Sequence, residues 1–192
     1  MDDRFQSALA TVASQSAVVR VLAIFCASLL VYLLLVVWLL LVWRQRESLT
    51  FATVARIGVV MLGSILLARI AARFISDPRP YMVAHTVPLM PVSADNGFPS
   101  DHTLLVAALT ATVSGSDRRW IGPLAAGTLL VALGRLAVGA HHTIDVVGSV
   151  VIVLLAAIVA AMAPLPRTWN QPVLAAFPRV HALLMWRPHR RW

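Results

Sequence analysis

The sequence predicts an all-α integral membrane protein, a transmembrane helical bundle of five spans, or six if the N-terminal helix also crosses. Of its 192 residues 59% are hydrophobic and only 12% are charged, whereas soluble domains have roughly 25% charged residues. The mean hydropathy is +0.82. Long apolar runs, several of them long enough to cross a bilayer, alternate with short polar turns.

The N-terminal residues 1–16 mix charged and apolar side chains at roughly helical spacing, which is typical of a short amphipathic or flexible segment. Five apolar stretches follow, at 18–43, 51 to about 75, 103–113, about 120–138 and 143–162. The third is too short to cross a hydrocarbon core of about 30 Å alone, so we expect His102 at a helix start sunk below the surface. We therefore divide the chain into an N-terminal segment (1–16), a membrane domain (17–164) and a basic interfacial tail rich in tryptophan and proline (165–192).

The charge distribution predicts the orientation. All 16 basic residues are arginine, and the net charge is +8. The apolar spans argue against nucleic acid as the partner, and the arginines act instead as topology signals. With five spans, Arg44, Arg46, Arg118, Arg119 and the tail arginines all lie on the cytoplasmic side. The 76–101 loop and the 139–142 turn then share the outer face. Because Cys26 is the only cysteine, a disulfide within the chain is excluded.

Three polar clusters fall at this outer face, and polar residues in a membrane domain are costly and therefore functional candidates. The first, Arg73 to Pro80, contains Pro-Arg-Pro, and the second, Gly97 to His102, opens the third apolar stretch. The third reads GRLAVGAHHTID, from Gly134 to Asp145. If a helix begins near His141, Asp145 lies one turn further on the same face, within reach of the imidazole.

These residue types suit phosphoryl transfer. Arg79 and Arg135 have planar donor forks that match phosphate oxygens, and Ser100 adds a hydroxyl donor at a helix start, where backbone N–H groups are free. His102 and His141, in different helices, can divide the acid and nucleophile roles. No metal is needed for this chemistry.

Two other interpretations compete with it. A zinc or magnesium site is one, with five candidate ligands: His102, His141, His142, Asp101 and Asp145. Against it, the arginines would repel a cation. A small transporter or channel is the other, but it predicts polar residues at mid-depth along several spans. Here they cluster at one end, with Arg56 and Arg69 as partial exceptions.

The order of the motifs resembles that of the type 2 phosphatidic acid phosphatase superfamily, whose signatures are Lys-x6-Arg-Pro, Pro-Ser-Gly-His and Ser-Arg-x5-His-x3-Asp. This chain has Arg79-Pro80, then Pro99-Ser100-Asp101-His102, then Gly134-Arg135-x5-His141-x3-Asp145. The likeness covers about residues 73–150. Within the family, Pro-Arg-Pro followed by an aspartate-asparagine turn (Asp95-Asn96) and Phe-Pro-Ser-Asp-His is similar to the bacterial undecaprenyl-diphosphate phosphatases associated with bacitracin resistance.

The resemblance implies a lipid phosphatase of the bacterial cytoplasmic membrane whose site faces the periplasm or the exterior. It would hydrolyse undecaprenyl or another polyprenyl diphosphate to the monophosphate and so recycle the cell-wall lipid carrier. Phosphatidylglycerol phosphate, a phosphorylated lipid A and another prenyl phosphate are alternative substrates. The lipid is the expected partner, and no cofactor or metal is expected.

The resemblance also implies a role for each residue. His141 forms a phosphohistidine, Asp145 orients it, and His102 first donates and then accepts a proton. The phosphate-binding residues are Arg79, Ser100, Arg135 and Arg73. We expect no chemical role for His142.

This sequence departs from the family pattern at three positions. Ala72 stands where the family has lysine, and Arg73, one residue on, or Arg69, nearly a turn away, would have to supply the charge. Gly134 replaces the serine before Arg135. Asp101 replaces a glycine, as it does in the bacitracin-resistance subgroup.

Overall fold

The computed structural model describes residues 3–113 and 118–176, and over these residues the chain is helical apart from one isolated β-bridge. The helices are α1 (Arg4–Gln15), α2 (Ala17–Ser28), α3 (Leu30–Arg44), α4 (Phe51–Ala71), α5 (Pro80–Val83), α6 (Asp101–Val113), α7 (Ile121–Ala137) and α8 (Thr143–Met162). The predicted all-α membrane bundle is confirmed.

Three helical segments of the described chain are long and apolar enough to cross a membrane. They are α4, α8 and the segment Arg118–Ala137, which consists of a short 3₁₀ turn and α7. Helices α2 and α3 meet at a bend of 46° and make a fourth span if they are taken together. Helix α6 has 13 residues and does not reach the required length. The count of five spans therefore stays a prediction.

Helix α6 is the centre of the bundle, packed against α3, α4, α7 and α8. Leu104 and Ala108 belong to an apolar cluster shared with α4 and α8, whereas Val106 and Val113 belong to one shared with α3 and α7. A helix that is apolar all round is stable when other helices enclose it. This enclosure holds the N-terminal end of α6, where Ser100 and His102 lie.

The N-terminal helices pack against α7. Small side chains form this interface and allow close approach of the helices; they include Ala13, Ala23, Ala27, Ala137 and Ala140. Gln6 Nε2 donates to the carbonyl of Leu136 at 3.1 Å. Asp3 caps α1 and also accepts hydrogen bonds from the backbone N–H of Thr143 at 2.6 Å and from its hydroxyl at 3.0 Å. Helix α1 is thereby attached to both sides of the turn between α7 and α8.

The loops are sorted to the two ends of the bundle. At one end, the backbone N–H of Val173 donates to the carbonyl of Leu49 at 2.8 Å, so the segment after α8 returns to the turn between α3 and α4. At the other end, the 72–100 segment meets the 138–142 turn, as Leu89 N donates to Val138 O. The two outer segments that the sequence predicts to share one face do share one end. The polar turn at 114–117 and the tail arginines after residue 176 lie outside the described residues.

Candidate active site

The ring of His141 is held in one orientation by the loop that faces it. His141 lies in the turn between α7 and α8, where Gly139 has φ +75°, and its residue is only 2% exposed. Its Nδ1 lies 2.9 Å from the carbonyl oxygen of Gly97, which can only accept a hydrogen bond. The proton is therefore assigned to Nδ1, and Nε2 carries the free lone pair.

Two guanidinium groups donate to this unprotonated nitrogen. Arg79 Nη1 lies 3.3 Å and Arg135 Nη2 lies 3.2 Å from Nε2 of His141. Both arginines are buried. An anion bound by these two forks would lie within reach of the imidazole lone pair, which is the geometry that a histidine nucleophile needs.

Arg135 has a donor that the protein does not satisfy. Its Nη1 donates to the carbonyl of Ala27 in α2 at 3.4 Å, whereas its Nε is buried and has no acceptor among the described residues. Leaving a buried donor unpaired costs about 1–3 kcal/mol, and more for a charged group. An anion that accepts from Arg135 would remove this cost.

Arg79 is held from the loop side by Asp95, the aspartate of the Asp-Asn turn, to which we assigned no role from the sequence. Its Nη2 and Nε donate to Asp95 Oδ1 at 2.7 and 3.1 Å, and its Nη1 donates to the carbonyl of Ala140 at 2.9 Å. The hydroxyl of Ser93 and the guanidinium of Arg79 lower the pKa of Asp95 to about 2. Asp95 therefore stays ionised and fixes the direction of the Arg79 fork.

The environment of His141 favours the neutral imidazole. Burial, and then the positive charges of Arg135 and Arg79, lower the pKa of His141 to about 3, and only weaker effects, such as the hydrogen bond to Gly97, oppose them. A neutral ring is the form that can attack phosphorus.

The N-terminal end of α6 is joined to the start of α8. The backbone N–H of Ser100 donates to the carbonyl of Asp145 at 3.4 Å, and Ser149 Oγ donates to the carbonyl of Ser100 at 3.0 Å. Ser100 is fully buried, and its Oγ accepts from Thr103 Oγ1 at 3.1 Å, so its own proton can be donated elsewhere. His102, half-buried in the first turn of α6, lies in the electrostatic field of the groups around Nε2 of His141.

Asp145 reaches His141 by a different local geometry from the one that we expected. Helix α8 begins at Thr143, two residues later than the expected start near His141, because His142 is extended and caps the helix. Asp145 Oδ2 accepts from the backbone N–H of His142 at 2.9 Å and lies 3.3 Å from His141 Nδ1. Asp145 thus shapes the turn that carries His141 and places its negative charge beside the ring.

Asp77 and Asn96 hold Gly97 in place, a role that we did not assign to them from the sequence. The backbone N–H of Gly97 donates to Asp77 O at 2.8 Å, and Asp77 N donates to Asn96 Oδ1 at 2.9 Å. Asp77 Oδ2 also pairs with His142 Nδ1 at 2.9 Å, although burial and the nearby Asp145 raise the pKa of Asp77. His142, for which we expected no chemical role, is buried in this frame. The one indication of this structural role in the sequence is that His142 directly follows the motif histidine.

Among the described residues around His141, none supplies the positive charge of the family lysine that Ala72 replaces. Ala72 is the C-cap of α4, and its carbonyl accepts from Asn96 Nδ2 at 3.3 Å. The side chain of Arg73 is exposed and makes no hydrogen bond with the described residues, and Arg69 is also exposed. A phosphate-binding role for Arg73 stays a prediction.

One trio of side chains among the described residues could be considered for a metal ion. Asp77, His142 and Asp145 place one ligand atom each within 4.8 Å of one another. This set shares only His142 and Asp145 with the set considered from the sequence. Its His142 Nδ1 and Asp77 Oδ2 already hydrogen-bond each other directly, so a metal would have to break that bond.

The structure explains why a glycine stands before Arg135. A Cβ atom at Gly134 would lie 2.7 Å from the backbone nitrogen of Ala27 and 2.8 Å from Cys26 Cβ. Helix α2 therefore occupies the space that a serine side chain would need. The same close approach lets the carbonyl of Ala27 accept from Arg135.

Comparison of the amino-acid sequence with known proteins identifies a family. The model of the PAP2 superfamily matches residues 53–169, which include all three polar clusters. The undecaprenyl-diphosphatase BcrC of Bacillus subtilis (strain 168) is 32% identical over 124 residues, which are 64% of this chain and 61% of that protein. The match thus spans less than two thirds of the relative's length. No solved structure matches the chain. The resemblance derived from the motifs is confirmed.

We predict that Gly134→Ser destabilises the protein. The added side chain must displace the backbone of α2, and overpacking of this kind costs about 1–3 kcal/mol. Thermal unfolding in detergent should therefore show a lower midpoint. Gly122→Ser in the same helix is the matched control, because a Cβ there meets nothing within 4 Å. Equal midpoints for the two variants would contradict the proposed steric conflict.

We predict that the ring of His141 does not titrate between pH 8 and pH 5. Its lowered pKa, about 3, keeps the imidazole neutral over this range, whereas an ordinary histidine would gain its proton near pH 6.5. Nuclear magnetic resonance of ring-labelled histidine in detergent measures this, with His141→Gln to assign the signal. A midpoint near 6.5 would show that burial and the arginines do not act as described.

Proposed function

We propose that this chain, which belongs to the PAP2 superfamily, is a membrane lipid phosphatase that hydrolyses undecaprenyl or another polyprenyl diphosphate to the monophosphate and phosphate. The observation that carries the proposal is the unprotonated Nε2 of His141, which accepts hydrogen bonds from Arg79 and Arg135. The relative named as an undecaprenyl-diphosphatase supports the choice of substrate. Phosphatidylglycerol phosphate, phosphorylated lipid A and prenyl phosphates present the same headgroup chemistry and are the alternatives.

In the first step, Nε2 of His141 attacks the terminal phosphorus. The N–P bond forms while the bond from phosphorus to the bridging oxygen breaks, and His102 gives a proton to that oxygen. Burial and the charge of Arg135 lower the pKa of His102 to about 4 in the free site, so His102 takes up this proton when the bound diphosphate offsets the charges of the arginines. The positive charge that develops on the imidazole of His141 is stabilised through Nδ1–H by the carbonyl of Gly97 and by the carboxylate of Asp145. Polyprenyl monophosphate leaves, and the enzyme holds a phosphohistidine.

In the second step, water attacks the phosphorus of the phosphohistidine. His102, now neutral, takes a proton from the water, the N–P bond breaks, and phosphate leaves. Arg79 and Arg135 stabilise the charge on the non-bridging oxygens in both steps, and loss of one such donor typically costs about 10²–10³ in rate. The hydroxyl of Ser100 donates a hydrogen bond to the same phosphoryl group. Arg73 can contact that group only if the C-terminal end of α4 moves toward the site.

The location follows from the distribution of arginines. Arg44, Arg46 and Arg167 lie at the end of the bundle opposite to the site, and the positive-inside rule assigns that end to the cytoplasm. The site then faces the periplasm or the exterior of the bacterial cytoplasmic membrane. Hydrolysis of the diphosphate at that face would regenerate the polyprenyl monophosphate, which serves as the lipid carrier in cell-wall synthesis.

The substitution His141→Asn should abolish turnover, because the variant has no nucleophile. We expect a loss of at least about 10³-fold in release of phosphate from undecaprenyl diphosphate in detergent. His85→Asn is the control: His85 is exposed, and asparagine tolerates its positive φ of 49°. The same assay with the alternative lipids ranks the substrates by kcat/KM. Turnover near wild type by His141→Asn would remove the proposed nucleophile.

Activity should persist after removal of divalent metals. The proposed steps use imidazole, guanidinium, hydroxyl, carbonyl and carboxylate groups and no metal ion, and Asp77 Oδ2 and His142 Nδ1 hydrogen-bond each other. Phosphate release is therefore expected to be unchanged after dialysis against excess chelator. A loss that an added divalent ion restores would instead assign catalysis to the metal trio.

A further inference from the structure

Helices α7 and α8 diverge after their short connection. Consecutive helices with so short a turn commonly pack together, yet α7 and α8 are not among the closely packed helix pairs of the described chain. An apolar groove of about 580 Å³ opens between them, and α6 forms its floor. This volume falls within the roughly 300–1,000 Å³ of small-molecule binding sites.

The groove presents hydrocarbon along its length. Leu129 and Leu133 of α7 face Val147, Val150 and Leu154 of α8. From Thr143 to Leu154 the wall formed by α8 extends over about 16 Å, at roughly 1.5 Å per residue. Such a surface suits an extended apolar chain.

The few polar groups in the groove are already paired. The hydroxyls of Thr110 and Thr128 lie 3.0 Å apart, and each is also within hydrogen-bond distance of a carbonyl of its own helix, so the two protons have acceptors within the protein. The hydroxyl of Thr143 donates to Asp3. No lining hydroxyl therefore requires a polar ligand, which excludes a sugar or a second phosphate as a fitting occupant.

One end of the groove adjoins the phosphate-binding arginines. Leu136, which lines the groove, directly follows Arg135, and Thr143, at the start of the opposite wall, is two residues beyond His141. Phe5 of α1 lies at this end as well. An apolar chain in the groove would thus leave its polar end beside the guanidinium forks.

We propose that the groove between α7 and α8 binds the polyprenyl tail of the substrate whose diphosphate lies between Arg79, Arg135 and His141. This inference rests on the proposed function and adds to it the element that selects for tail length. The tail is one continuous apolar chain covalently attached to the anion, which matches a groove that begins at the anion site.

The test fills the groove and compares substrates of two tail lengths. Val147→Trp places a bulky ring at an exposed position of the wall, and Val159→Trp is the matched control at an exposed position of α8 outside the groove. Undecaprenyl diphosphate and dimethylallyl diphosphate are assayed in detergent; the five-carbon chain of the second is too short to pass Val147, which lies about 6 Å along α8 from Thr143. We expect Val147→Trp to lower kcat/KM for the long substrate about tenfold or more relative to the short one, whereas Val159→Trp leaves that ratio unchanged.

The outcomes separate the groove from the phosphatase activity. A long-to-short ratio unchanged by Val147→Trp overturns the tail site and means that ordinary membrane lipid fills the groove. Failure of the wild type to hydrolyse either substrate contradicts the proposed function instead. Should Val147→Trp not fold, Ala132→Phe in the groove and exposed Ala126→Phe outside it, both in α7, repeat the comparison.

Discussion

The hydrogen bond from Nδ1 of His141 to the carbonyl of Gly97 is the contact on which the site depends. It places the proton on one ring nitrogen and so leaves the other free toward Arg79 and Arg135. It also joins two loops that lie far apart along the chain. Gly97 is required there because a Cβ would lie 2.9 Å from Asp77 O and 3.1 Å from Asp145 Oδ2. The direction of the nucleophile is therefore set by a backbone carbonyl, and the carboxylate acts beside it.

Two buried cations next to one imidazole are unfavourable unless something compensates them. Arg79 is compensated by the hydrogen-bonded carboxylate of Asp95, whereas Arg135 contacts the carbonyl of Ala27 and the neutral ring of His141, and its Nε has no acceptor among the described residues. The neutral state of His141 avoids adding a third positive charge. Binding of a phosphate would offset the repulsion between the arginines and satisfy Nε at once, so the strain of the free site favours the anion.

The sequence was sufficient for the parts of the protein that depend on local pattern. Hydropathy predicted the helical bundle, and the predicted shared outer face together with the family resemblance led us to expect that Arg79, Arg135 and His141 meet. It was not sufficient for contacts between distant segments, such as Asp77 with His142 or Asp3 with Thr143, because neither partner carries a periodic signal. The start of α8 was displaced because an extended His142 caps the helix, which depends on Asp145 and not on helix propensity.

The N-terminal helices complete the site on the side where a glycine replaces the family serine. They precede the segment that the family model matches, yet the carbonyl of Ala27 in α2 accepts from Arg135, and α1 is attached to Leu136 and Thr143 on either side of the His141 turn. The glycine at 134 is what permits α2 to approach so closely. The motif thus lacks the serine hydroxyl at position 134, and in the same place the backbone oxygen of Ala27 in α2 contacts Arg135. Helices α1 and α2 therefore form part of the wall of the site. Substitutions at the α2–α7 interface should alter the position of Arg135, because they move the carbonyl of Ala27 to which it donates.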